Sequence, residues 1–296
     1  SAVRVPCRPC ARGPRAGTDP SVGPPVMRTL AEVGPPARAW LVVSDAASAE
    51  VVHRWLEVLV VSGLRSATLL CILPPPDESK PEAHPFLDDA SLWAQRFEAR
   101  GLERVEVTFK RGDPAAWLRE LAAMRPDHWV VAVAPRAAPD GFLRPASPWR
   151  NLPVPVLLLP PSGPGFRGSL FDRVVVGIKD PRSAREDVLR LVRALPAVRA
   201  WQGVYVSPSP RGPGGRYPIP LKAVVGDRYA IADSLVACAR AGARLLVLFA
   251  RPEDVDETLA AGYVTEGVVR SADVPVLLWP ARPAQPRRPP KRRSVS

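Results

Sequence analysis

Two aspartates stand where this chain could do chemistry. Asp45 and Asp180 each close an apolar run, and each is followed at the third and fourth places by Ser-Ala: Ser48-Ala49 and Ser183-Ala184. A carboxylate at a strand end can accept hydrogen bonds from a polar ligand, or it can satisfy the free amides at a helix start. A Gly-Asp pair follows in both cases, Gly112-Asp113 and Gly226-Asp227, and Gly262 lies further along. Glycine lets backbone amides approach a phosphate closely, and a helix N-terminus adds positive potential. Read from the residues alone, both aspartates serve as loop and cap residues at a strand end, a role that needs no ligand.

No other constellation assembles. His53, His84 and His128 are scattered, without metal-ligand spacing or a triad-like context. There is no Walker A loop, no Gly-x-Gly-x-x-Gly and no Gly-x-Ser-x-Gly. Cys7 and Cys10 make only half a zinc site, inside a Pro/Arg-rich stretch. Cys71 and Cys238 fall in apolar patterns, where a reduced thiol acts as a small hydrophobe. Glu253, Asp254, Asp256 and Glu257 read as the charged first turn of a helix rather than a metal site. The expectation is no catalytic residue, no metal and no enzyme.

The elements that position these residues come twice. Residues 154–160 read VPVLLLP and residues 274–280 read VPVLLWP. Each ends a series that runs apolar strand, Asp-x-x-Ser-Ala, Gly-Asp, helix-length stretch, apolar strand. Such self-similarity marks duplicated units. In the first, strands are expected at 40–43, 66–73, 104–109, 129–133 and 154–159. Helical faces fall at Val52, Trp55, Leu56 and Leu59, at Phe86, Ala90, Trp93 and Phe97, and at Trp117, Leu118, Leu121 and Met124. Ser48 is expected to cap the first helix, and Pro114 sits at the first position of the third. In the second, strands are expected at 174–178, 201–206, 222–225, 245–249 and 276–279. Ser183 and Glu186 suggest a capping box; Ile231, Leu235 and Cys238 mark one helix and residues 253–272 another. A Pro/Gly stretch at 208–220 replaces the second helix. Continuous apolar strands alternating with helices imply parallel sheets covered on both faces.

The chain has 296 residues, a net charge of +12 and a pI of about 10.4. Residues 1–38 carry six Arg against Asp19 and Glu32, and residues 281–296 carry six Lys and Arg with no acid. The folded middle is therefore nearly neutral. Both tails are rich in Pro and poor in apolar residues, and they read as disordered. Contact of the C-terminal tail with nucleic acid is one possible use of that charge. Met27 is a candidate initiator. No apolar stretch approaches the length needed to span a bilayer, so a cytoplasmic protein is expected.

The strand ending in Asp-x-x-Ser, the Gly-Asp before a helix and the final Pro-Val-Leu-Leu strand together resemble the universal stress protein family, over about residues 39–160 and 171–280. The resemblance implies an α/β fold of two tandem doubly wound parallel-sheet (3-2-1-4-5, Rossmann-like) domains, at 39–161 and 171–281. Disordered tails at 1–38 and 282–296 flank them. It implies a cytoplasmic stress-response protein that associates through the final strand of each sheet, with itself or with a protein partner, and tandem members make that dimer-like contact inside one chain. It also implies ATP as the possible cofactor. ATP-binding members use a Gly-x-x-Gly loop after the fourth strand, nine further residues, then Gly-Ser/Thr, and an Asp at the first strand end that touches the nucleoside. Asp45 and Asp180 match that Asp. Half 1 places Ala132-Val133-Ala134-Pro135 where the loop should begin. In half 2, Phe249 and Pro252 take the first glycine positions, Gly262 matches the last, and Tyr263 replaces Ser/Thr. A site, if present, is expected at Asp180, Gly226 and Gly262. The main expectation is a non-catalytic module that has lost ordinary ATP binding.

Overall fold

A strand buried on both faces can satisfy its backbone amides and carbonyls only through neighbouring strands. The apolar runs of this chain meet that demand in one sheet. A computed structural model describes residues 35–73, 85–111, 114–134, 149, 152–207, 216–225, 230–250, 265 and 267–281. The first half runs β1 (Arg38–Val43), α1 (Ala46–Val61), β2 (Ser66–Leu73), α2 (Pro85–Glu98), β3 (Arg104–Arg111), α3 (Pro114–Met124), β4 (Trp129–Val133) and β5 (Val156–Leu159). The second runs β6 (Val174–Ile178), α4 (Arg185–Ala194), β7 (Trp201–Ser207), β8 (Leu221–Val225), α5 (Ala230–Arg240), β9 (Leu245–Ala250) and β10 (Val276–Pro280). Of the helix expected at 253–272, Thr265 and residues 267–271 are helical, and 251–264 and 266 lie outside the described residues.

The ten strands lie in the order β3-β2-β1-β4-β5-β10-β9-β6-β7-β8. Every neighbouring pair is parallel except β5 and β10, which run antiparallel. Each half thus has the strand order 3-2-1-4-5. The two separate sheets expected from the sequence are replaced by a single ten-stranded one. The reason is local: β5 and β10 are apolar edges, and pairing Val156, Leu157 and Leu158 with Leu278, Leu277 and Val276 removes both edges at once. The surfaces expected to mediate self-association are occupied within the chain.

Strand residues alternate between two cores. Leu41, Val43, Val176 and Ile178 face the side of α1, α2 and α4, with Trp55, Phe97, Val188 and Leu191. Trp40, Val42, Val175 and Leu246 face the other side, with Leu118 of α3 and Leu235 of α5. Contacts between the halves supplement the strand pairing. Trp129 of β4 meets Trp279 of β10 edge to face at 6.3 Å and Phe171 at 6.5 Å.

The segment between β5 and β6 is fixed to both halves. The Trp55 indole N–H donates to the Pro160 carbonyl at 2.9 Å. The Leu170 amide donates to the buried Ser62 hydroxyl at 2.8 Å, which itself donates to the Val58 carbonyl at 2.7 Å. Arg244 pairs with Asp172 and donates to the Arg167 carbonyl at 2.7 Å. Gly168 adopts φ +98°, where a side chain is strained, and a Cβ there would stand 2.7 Å from the Arg244 guanidinium, which would have to shift.

Candidate functional site

The strand ends after β1 and β6 carry the two aspartates, and both carboxylates turn to their own backbone. Asp45 is the N-cap of α1. Its Oδ1 accepts from the Ser48 amide at 2.7 Å, and the Ser48 hydroxyl accepts from the Asp45 amide at 3.2 Å. The expected cap at Ser48 is corrected by one turn element: Asp45 caps, and Ser48 answers as the third residue of a capping box. Burial opposes ionisation of Asp45, but the hydrogen bonds from Ser48 and Ser44 outweigh it and hold its carboxyl below the usual range.

Asp180 follows the same logic with a different turn. Its carboxylate accepts from the amides of Arg182 at 3.0 Å and Ser183 at 3.3 Å. Burial is again opposed by these bonds and by the Arg182 charge, and the pKa is lowered. The expected Ser183/Glu186 capping box does not form. Residues 181–184 make a turn, α4 starts at Arg185, and its N-cap Ala184 supplies no side-chain bond. Asp180 holds the turn that precedes α4, through the amides of Arg182 and Ser183. The Ser183 hydroxyl instead lies 3.4 Å from the Asp180 carbonyl.

The phosphate-binding half of the expected site is mostly beyond view. Gly112, Asp113, Gly226, Asp227, Pro252, Gly262 and the acidic run 253–257 lie outside the described residues. What is described after β4 is closed. Ala134 is 4% exposed, and its amide donates to the Leu159 carbonyl at 2.8 Å. Its Cβ and its committed amide leave no phosphate donor at that point. In half 2, Phe249 is partly buried and packs against the core beside β6.

The remaining titratable groups are structural in setting. His53 stands between α1 and α2, 6.1 Å from the Phe97 ring and 6.0 Å from Trp93, and burial, aided by Arg100, lowers its pKa. His128 stacks on Trp40 at 4.8 Å, with Nδ1 3.1 Å from the Asp127 carboxylate. Burial pushes the Cys71 thiol up to about 12, and Cys238 is also buried. Among the described residues no three His, Cys, Asp or Glu side chains gather as a metal site. No helix among them is long and apolar enough to cross a membrane. A buried pair between Asp187 and Arg190 on α4 was not foreseen. An acid and a base three apart read as an exposed helix pair, and the only hint in the sequence is that they fall where α1 has Val52 and Trp55.

No protein-family model matches the chain. No curated protein matches it either. Among solved structures, it is similar to a universal stress protein from Archaeoglobus fulgidus, with a TM-score of 0.57 and 18% identity over 81% of this chain and 95% of that one. It also aligns with a functionally unknown protein from Pseudomonas aeruginosa, at TM-score 0.48 and 14% identity over 85% and 94% of the two chains. A third alignment is to the cytoplasmic domain of a prokaryotic cation chloride cotransporter, at TM-score 0.45 and 10% identity over 82% and 95%. The first likeness is one of fold: the chain shares the Rossmann-like α/β architecture of that universal stress protein.

Proposed function

We propose that the chain is a non-catalytic, tandem universal stress protein, a cytoplasmic stress-response or regulatory module that has lost ordinary ATP binding. The observation that carries this reading is the commitment of the polar groups at the strand ends. The Asp45 and Asp180 carboxylates hold backbone amides of their own turns, and the Ala134 amide holds Leu159. A committed donor such as the Ala134 amide must break its bond before it can hold a phosphate, and each carboxylate offers a ligand only the lone pairs that its own turn leaves free. The duplicated halves share one sheet, and a protein partner would read its outer surface. The test is the thermal unfolding midpoint of the full chain with and without ATP–Mg, together with mass spectrometry of any small molecule that co-purifies. An unchanged midpoint and no co-purified nucleotide are expected.

Two other readings each have one feature in their favour. Half 2 keeps Asp180, Gly226 and Gly262 in the order of a nucleotide site, which favours ATP binding by that half alone. The residues 282–296 hold six basic side chains and no acid, which favours contact with nucleic acid. A saturable ATP shift lost in Asp180→Ala would replace the main reading with the first. A tail truncation that abolishes RNA or DNA binding would add the second.

A further inference from the structure

The ten-stranded sheet ends on β3 at one side and on β8 at the other. Its inner edges are closed by the pairing of β5 with β10. Among the described residues β3 pairs with β2 alone, and β8 with β7 alone. A free edge offers a row of backbone donors and acceptors to another strand. β3 is the longer of the two, eight residues against five.

The side chains of β3 fall into two rows. Val105 and Val107 pack against the core that holds Trp55 and Phe97, and Phe109, next in that row, is 41% exposed. Arg104, Glu106, Thr108 and Lys110 form the other row, on the side of α3, where the Lys110 ammonium lies 4.0 Å from the centre of the Trp117 ring. Glu106 meets Arg104 at 2.7 Å, but both side chains are more than half exposed, and such a pair contributes little. The Glu106 carboxylate can accept from a second cation as well.

Lysine on an edge strand ordinarily discourages pairing. In β3 the spacing of the charges reverses that effect. A second copy related by a two-fold axis normal to the sheet brings β3 antiparallel to its counterpart, with each row meeting itself. The axis then passes beside a single residue, which faces its own copy. Two positions keep seven residues of β3 in the ladder. With the axis at Val107, residues 104–110 pair, and Arg104 stands against Lys110. With the axis at Thr108, residues 105–111 pair. Glu106 then stands against Lys110, twice by symmetry, with Val107 against Phe109, Thr108 against Thr108 and Val105 against Arg111. Opposite charges, apolar pairs and facing threonines stabilise a ladder, and like charges directly opposed weaken it. β8 holds Lys222 and no acid, so no register of that edge joins opposite charges.

We propose that the chain forms a homodimer through β3, antiparallel about Thr108, so that the sheets of two copies run on as one. This contact goes beyond the proposed function and does not rest on it, because it uses neither a strand-end aspartate nor a glycine loop.

Sedimentation velocity of the full chain over a concentration series reads the monomer–dimer equilibrium. A reversible dimer is expected for wild type. Glu106→Lys and Lys110→Glu each make both ionic pairs repulsive, and each should raise the dimer dissociation constant roughly tenfold or more. Mixed in equal amounts, the two variants should recover the dimer, because every charge then faces its opposite across the seam. Thr108→Lys, which sets two cations face to face on the axis, should give the same loss without removing Lys110 from the Trp117 ring. Thermal unfolding of each variant checks that it is folded. A monomer at every concentration, a dimer that all variants keep, or a mixture as monomeric as its two components would overturn the proposal. ATP binding by wild type would count against the proposed function and leave this contact untouched.

Discussion

Leu157 and Leu277 are direct partners across β5 and β10, and they are also corresponding residues of the two copied segments. Val156 and Leu278, and Leu158 and Val276, flank them in mirrored pairs. A contact that joins one residue to its counterpart at the centre and mirrors the pairs on either side is self-complementary, as in a two-fold dimer interface. Here the operator acts inside one chain. Both leucines are fully buried, so the seam between the halves is as dry as a domain core.

Leu157→Ala and Leu277→Ala should therefore each destabilise the chain by about 2–5 kcal/mol. As the two sites touch, the double variant should lose less than the sum. Urea unfolding of the three variants measures this. Additive losses would mean that the two side chains do not share one packing site.

Ser62→Ala should cost about 1–3 kcal/mol, because the Leu170 amide loses its acceptor in a buried setting. Amide hydrogen exchange should locate the loosening at Leu170 and its neighbours, with β1 and β2 protected as before.

Asp45→Asn tests the strand-end caps. The folded pKa of Asp45 lies below its unfolded value. Its contribution is therefore present above the unfolded pKa and is lost as pH falls through the folded one. The variant keeps a cap oxygen and loses the charge, so it should lose about 0.3–1 kcal/mol at neutral pH and should show less loss of stability than wild type between about pH 4 and lower values. A pH profile of unfolding free energy parallel to wild type would contradict the cap role.

Cys71 should resist thiol reagents at pH 7 in the folded chain, since burial raises its thiol to about 12 and keeps it from solvent. Peptide mapping after alkylation, before and after denaturation, gives the readout. Labelling of Cys71 in the native state would show that β2 opens.

Much of this was legible in the sequence, for local reasons. Asp-x-x-Ser marked both strand ends because a cap needs its acceptor three residues from its amide, and apolar runs marked the strands because both faces are covered. The join between halves was less visible. Ser62 looks like an exposed helix end, yet its partner Leu170 is 108 residues away. Trp55 reads as one more core residue, while its indole fixes Pro160. Asp187 and Arg190 read as a solvated helix pair but are buried. Distant partners leave no trace in local pattern. The glycines expected to hold phosphate, Gly226 and Gly262, lie outside the described residues, so that part of the site still rests on the sequence.

The proposed function has this scaffold hold no nucleotide. Isothermal titration of the full chain with ATP–Mg, beside Asp180→Ala, tests it most directly. No saturable heat is expected from either protein; saturable binding by wild type that disappears in Asp180→Ala would overturn the proposed function.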